Sequence, residues 1–245
     1  MKAVIGGTGL TRMPGVRLMR EHSLMTDLGK ASSAISECDC DGQSVLFLAR
    51  HGDPHRIAPH RINYRANLLA LQAAGATQIL AINAVGGIDP DLKPGQLVLP
   101  DQIIDYTHTR ESSFFDGEYR PLDHLDMSLP YHPALRDQIA MAVQACDEGL
   151  VKQAVYGATQ GPRLETPAEI TRMAQDGCTI VGMTGMPEAA LAAELSLPYA
   201  CLALVVNPAA GVQSEPISLA QMQAVIDERM QVVMQIIRHW VAATD

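Results

Sequence analysis

The sequence predicts an α/β fold, with a central mixed, mostly parallel β-sheet flanked by helices in a single domain over residues 1–245. Three observations carry this. Short apolar runs alternate with segments of helical period along the chain. Glycine-rich turns follow or end several of those runs. The chain has 245 residues and 47% hydrophobic content, enough to bury one large core.

The elements follow in order. Residues 2–5 read as a buried strand stopped by glycines, and 44–49 as a second. Residues 63–74 are rich in Ala and Leu at helical spacing and stop at Gly75, a C-terminal cap. Strands are expected at 78–82 and at 97–99. A helix over 133–146 starts on Pro133. A strand over 153–156 precedes the best-signalled helix, 166–175, with Thr166 as N-cap, Pro167 at the first helical position and Glu169 two further on. Then come a strand at 178–181, a helix at 187–195, a strand at 199–206 and a long helix at 218–242. The stretch 100–133 has few apolar runs and reads as an irregular excursion that builds a site or an interface.

The formal net charge is −9, with no basic tract. Nucleic-acid backbones and anionic membranes are therefore not expected partners. Isolated arginines suit a small anion in a pocket better than a polymer. No run approaches eighteen apolar residues, and no charged-then-apolar leader opens the chain, so a cytoplasmic protein is expected. The five scattered cysteines have no paired CxxC spacing and read as free thiols.

Several turns carry candidate chemistry. In 6–9 (GGTG), glycines let backbone approach an anion, and Thr8 adds a hydroxyl and an amide; a plain turn explains them equally well. Arg50 closes a strand and offers forked donors that match phosphate oxygens, against the alternative of a surface ion pair. His51, Asp53, His55 and His60 cluster in sequence, but Gly52 and Pro54 break any helix that would align them on a metal. Asn83, Ala84 and the glycines after them leave room beside a strand end. Glu165 reads either as a solvated acid near a helix start or as an acceptor for a base N–H. Thr184 sits where helix N-terminal amides bind anions. Thr8, Asn83, Thr184 and Asn207 all follow predicted strands, so they converge at one sheet edge.

The order and spacing of GGTGL (6–10), ARHG (49–52), NYRAN (63–67), NAVGG (83–87), GPRLETPAE (161–169) and MTGMPE (183–188) resemble the trimeric purine nucleoside phosphorylase and methylthioadenosine phosphorylase family. The resemblance covers nearly the whole chain. It implies that Thr8, Arg50, His51, Ala84 and Thr184 bind phosphate, which is a co-substrate, and that no metal or organic cofactor is needed. It implies that Met183 lies against the ribose. Leu164 stands where the family has a Phe beside the base, so stacking becomes aliphatic packing. His124 resembles the residue that reaches a neighbouring subunit's 5′ pocket, which makes a homotrimer the expected assembly.

Adenine-selective members carry Asp where this chain has Asn207, and again two positions on, where it has Ala209. A carboxylate only accepts hydrogen bonds, whereas an amide also donates, so Asn207 can meet both a 6-oxo group and N7–H. Glu165 resembles the acid set against N1–H in 6-oxopurine members. Both point to hypoxanthine. Members acting on inosine place a His near the start of the last helix; here Leu219 and Met222 share one helical face instead, an apolar lining suited to a methylthio group or, more plainly, ordinary core packing.

The sequence therefore predicts phosphorolysis of 5′-methylthioinosine in purine salvage, a pentosyl transfer with Asn207 as the catalytic group. An inosine/guanosine phosphorylase, a methylthioadenosine phosphorylase, a metal-dependent hydrolase built on the His51–His60 cluster and a non-catalytic purine binder remain as alternatives.

Overall fold

A computed structural model describes residues 1–243; residues 244 and 245 of the expected 1–245 domain lie outside the described residues. The elements are β1 (Lys2–Gly6), β2 (Arg17–His22), β3 (Met25–Thr26), β4 (Gly29–Lys30), β5 (Ile35–Cys40), β6 (Gln43–Ala49), α1 (Tyr64–Ala73), β7 (Gln78–Gly87), β8 (Leu97–Val98) and β9 (Gln102–Asp105). There follow α2 (Pro133–Ala145), β10 (Leu150–Val151), β11 (Val155–Ala158), α3 (Pro167–Gln175), β12 (Ile180–Gly182), α4 (Gly185–Glu194), β13 (Tyr199–Pro208) and α5 (Leu219–Ala242).

The main sheet runs β10-β8-β13-β7-β1-β6-β5-β2. Parallel pairs join β1 to β6 and β7, and β7 to β13. These central strands are mostly apolar because both of their faces are buried, with Asn83 of β7 and Asn207 of β13 as buried polar exceptions. Ala3 and Ile5 point to one side with Leu68 and Leu191 of α1 and α4. Val4 points to the other, with Ile139 of α2 and Trp240 of α5. Strand β13 splits the same way, Cys201, Ala203 and Val205 against Ala200, Leu202 and Leu204.

The long strand β7 changes partner halfway. Its first half, Gln78 to Ala81, pairs with β1. At its far end Gly86 and Gly87 pair antiparallel with β12, which in turn pairs with β11, and β11 with β9. Between those partners, on that edge, residues 82–85 pair with no strand among the described residues. The sheet thus divides where β1 ends at Gly6, and the division is a cleft.

Local signals in the sequence explain the helix ends. The Asn63 side chain accepts from the Ala66 amide at the start of α1. Gly75 takes φ +93°, the left-handed conformation that ends such helices. Thr166 and Glu169 form a reciprocal capping box at α3.

Some expectations shift. The strand expected at 153–156 lies at Val155–Ala158, and the one at 178–181 at Ile180–Gly182. The helix expected from Pro187 opens at Gly185 with an irregular residue at Met186 (φ −117°, ψ 142°). Strand β9 lies inside the stretch expected to be irregular. The antiparallel β2, β5 and β6 ribbon was foreseen only in β6. Strand β2 (RLMREH) is charged and exposed along nearly its whole length, so it carries no apolar period to read.

Candidate active site

The cleft deepens into a cavity of about 520 Å³. It is lined by Gly7, Thr8, Arg50, His51, Ala84 and Thr184, and by Leu164, Glu165, Met183, Asn207, Ala209 and Met222. Leu219 completes its rim. The structure therefore brings every sequence-selected site residue to one cavity except His124. That residue is exposed, on the excursion between β9 and α2, and does not line the cavity.

Arg50 is 1% exposed and follows β6. Sequence reasoning offered its forked donors to phosphate, but the fork is engaged inside the protein. Nε donates to Glu188 Oε2 at 2.7 Å and Nη2 to Glu188 Oε1 at 2.8 Å. Nη2 also donates to Asn83 Oδ1 (3.2 Å), and Nη1 to the Ile82 carbonyl (3.1 Å). Burial works against the guanidinium charge, but the Glu188 carboxylate more than offsets it and holds the pKa above its ordinary value. Asn83 passes the contact on, its Nδ2 donating to Thr184 Oγ1 at 2.9 Å.

His51 Nδ1 lies 2.8 Å from the Ile57 carbonyl. A carbonyl only accepts, so Nδ1 carries the hydrogen and Nε2 is the acceptor of the neutral ring. Burial, and then the Arg50 charge, push the His51 pKa from 6.5 down to about 4. The folded state therefore takes up this proton later than the unfolded chain does. Stability is unaffected above pH 6.5 and falls as pH drops towards 4, by about 3 kcal/mol in all. Urea titrations of wild type and His51→Asn across this range should show the steeper loss in wild type; parallel curves would remove His51 as the cause.

The His51 and His55 rings stack with centroids 4.3 Å apart and planes 12° off parallel. Stacked rings aim their nitrogens side by side rather than at one point. Among the described residues, no group of three or more His, Cys, Asp or Glu side chains is arranged to hold a metal ion.

A bulge between Val205 and Asn207 shifts the β13 register beside Gly86 and re-aims the strand's last side chains. Asn207 is 8% exposed, and its Nδ2 donates to the Pro208 carbonyl at 2.6 Å. That acceptor fixes the amide orientation and leaves Oδ1 and the second N–H for a ligand. Glu165 Oε1 accepts from Thr159 Oγ1 at 2.6 Å, which orients its carboxylate. Leu219 is 72% exposed, so it is a rim residue and not core. Met222 is half-buried and packs against the core beneath.

Two residues were missed from sequence. Glu188 is fully buried under Arg50; its only signal was a charge in the otherwise apolar start of α4. Arg110 lies in the excursion and donates to the carbonyls of Thr159, Gln160, Met183 and Met186. It ties together two loops of the cavity wall, and isolated arginines give no signal of that kind.

The Phosphorylase superfamily matches residues 3–242. The chain is 50% identical over 228 residues to a probable S-methyl-5′-thioinosine phosphorylase of Pseudomonas syringae, covering 93% of both chains. It is 37% identical over 240 residues to the 6-oxopurine nucleoside phosphorylase of Pyrococcus furiosus, covering 96% of this chain and 89% of that one. Methylthioadenosine phosphorylase from Schistosoma mansoni, solved with adenine, superposes with a TM-score of 0.93 at 29% identity, over 98% of this chain and 90% of that one. The divided sheet and the motifs that line its cleft thus have relatives along nearly their whole length, and the chain belongs to the phosphorylase superfamily.

Proposed function

We propose that the protein cleaves S-methyl-5′-thioinosine with inorganic phosphate, releasing hypoxanthine and 5-methylthioribose 1-phosphate. The observation that carries this is one cavity whose lining combines two chemically different sets of residues. Thr8, Arg50, His51, Ala84 and Thr184 suit an oxyanion. Asn207 and Glu165, with Leu164, Ala209 and Met183, suit a purine and its ribose. Leu219 and Met222 offer the 5′ substituent an apolar wall.

In this reading the C1′–N9 bond loosens first, and its electron pair moves into the purine. As this charge builds, N7 takes up a proton from solvent; Asn207 Oδ1 accepts from the N7–H so formed, and its free N–H donates to O6. An oxygen of hydrogen phosphate then bonds to C1′, and the phosphate's own proton returns to solvent. Catalysis is positioning plus electrostatics, with no covalent enzyme intermediate. Phosphate is a co-substrate, and no resident metal or organic cofactor enters the scheme. The likeness to probable S-methyl-5′-thioinosine phosphorylases, at 48% identity in Xanthomonas campestris as well, supports this substrate.

The assembly is proposed as a cytoplasmic homotrimer in which His124 reaches the 5′ end of a neighbour's cavity. Its support is the excursion itself, which exposes Leu122 and Leu129 beside His124, at 72% and 69%. Light scattering should return the mass of three chains.

A panel of methylthioinosine, methylthioadenosine, inosine and guanosine, each with and without phosphate, tests the whole reading. Turnover should require phosphate. A 5′-hydroxyl left without a partner costs about 1–3 kcal/mol, so kcat/KM for methylthioinosine should exceed that for inosine by roughly 5- to 150-fold. Equal values would favour the inosine/guanosine reading, which the Pyrococcus furiosus relative represents.

A further inference from the structure

Glu188 has no part in the scheme above, yet it is 0% exposed and holds Arg50, a cavity-lining residue, at 2.7 and 2.8 Å. A guanidinium has five N–H donors. Four hydrogen bonds are drawn from Arg50: two to Glu188, one to Asn83 and one to the Ile82 carbonyl. One Nη1 hydrogen is left. Nη1 itself lies beside the glycine turn, because a Cβ on Gly7 would sit 2.9 Å from it.

The network also has a direction. Tyr199 Oη donates to Glu188 Oε1 at 2.8 Å. Glu188 accepts from Arg50, Arg50 donates to Asn83 Oδ1, and Asn83 Nδ2 donates to Thr184 Oγ1. The Thr184 oxygen is then an acceptor within the protein, and its own hydrogen is free for a group in the cavity. A carboxylate, which only accepts, fixes this polarity from its buried end.

We infer that Glu188 is a positioning residue of the phosphate subsite: it turns the fork of Arg50 inward and so aims one Nη1 hydrogen and the Thr184 hydroxyl at the co-substrate. The inference rests on the phosphorolysis reading. Arg50 meets phosphate at one point rather than through a fork, and its charge is already matched by Glu188.

The test is steady-state kinetics with phosphate and methylthioinosine varied separately. Wild type is measured first: turnover without phosphate would overturn the phosphorolysis reading itself. Given phosphate dependence, Glu188→Gln should raise the phosphate KM at least ~10-fold, because its amide sets N–H against the N–H groups of Arg50. The nucleoside KM should stay within ~2-fold. Tyr199→Phe, which removes one hydroxyl and keeps both charges, should move the phosphate KM the same way by ~3-fold, and serves if Glu188→Gln does not fold. In an Arg50→Met background, Glu188→Gln should add less than ~2-fold, because the carboxylate acts through the arginine. A phosphate KM unchanged in Tyr199→Phe and in folded Glu188→Gln, with only thermal stability lowered, would make Glu188 a purely structural residue and overturn the inference.

Discussion

Arg50→Ala should lower stability by about 3–5 kcal/mol, because it strands the fully buried Glu188 carboxylate without its partner. In a chain of this size each kcal/mol moves Tm by about 2–4 °C, so a drop of about 6–20 °C is expected in a thermal melt. The same variant should need far more phosphate to reach half-maximal rate. Arg50→Lys keeps a charge but cannot reproduce the paired contacts through Nε and Nη2. It should fall between the two. A folded Arg50→Ala with wild-type Tm and wild-type phosphate dependence would remove Arg50 from both roles.

The double substitution Asn207→Asp with Ala209→Asp should turn selectivity towards methylthioadenosine. The 6-oxo group loses the one donor that Asn207 offers it, and the 6-amino group gains acceptors. With each unpaired buried group costing about 1–3 kcal/mol, the ratio of kcat/KM values should move by roughly 10- to 100-fold. Asn207→Asp alone should shift the ratio less than the pair, because it supplies only one of the two carboxylates. Its carboxylate would face the Pro208 carbonyl, which now accepts a hydrogen bond at 2.6 Å. Ala209 lines the cavity, so the second carboxylate is introduced on its wall. An unchanged substrate ratio in the double variant would show that these positions do not read the base.

Much of the fold was legible because a strand buried on both faces must be mostly apolar and must end in a turn that tolerates close backbone approach. That is the origin of the glycines after β1 and along the end of β7, and of the signals that bring Thr8, Ala84 and Thr184 to one cleft. The end of α1 and the start of α3 were legible for a different reason: Gly75 takes the left-handed conformation, and a Thr with a Glu three positions on answers unpaired helix amides locally. What stayed hidden is what depends on distant partners. Glu188 is 138 positions from Arg50, and a Glu on a helix reads as solvated until its partner is found. The orientation of Asn207 depends on the Pro208 carbonyl and a bulge, neither of which composition reveals. Strand β2 was hidden because it buries almost nothing.

The division of the sheet along β7 has a consequence for how the molecule answers its co-substrate. Over residues 82–85 one strand edge lacks a neighbour, and the Arg50 side chain already caps the first of its carbonyls. An oxyanion seated there would serve as a surrogate rung, cross-linking the turn after β1 to the start of α4. A bound oxyanion would thus tie the two sides of the seam together in the place where the two reactants are brought into line.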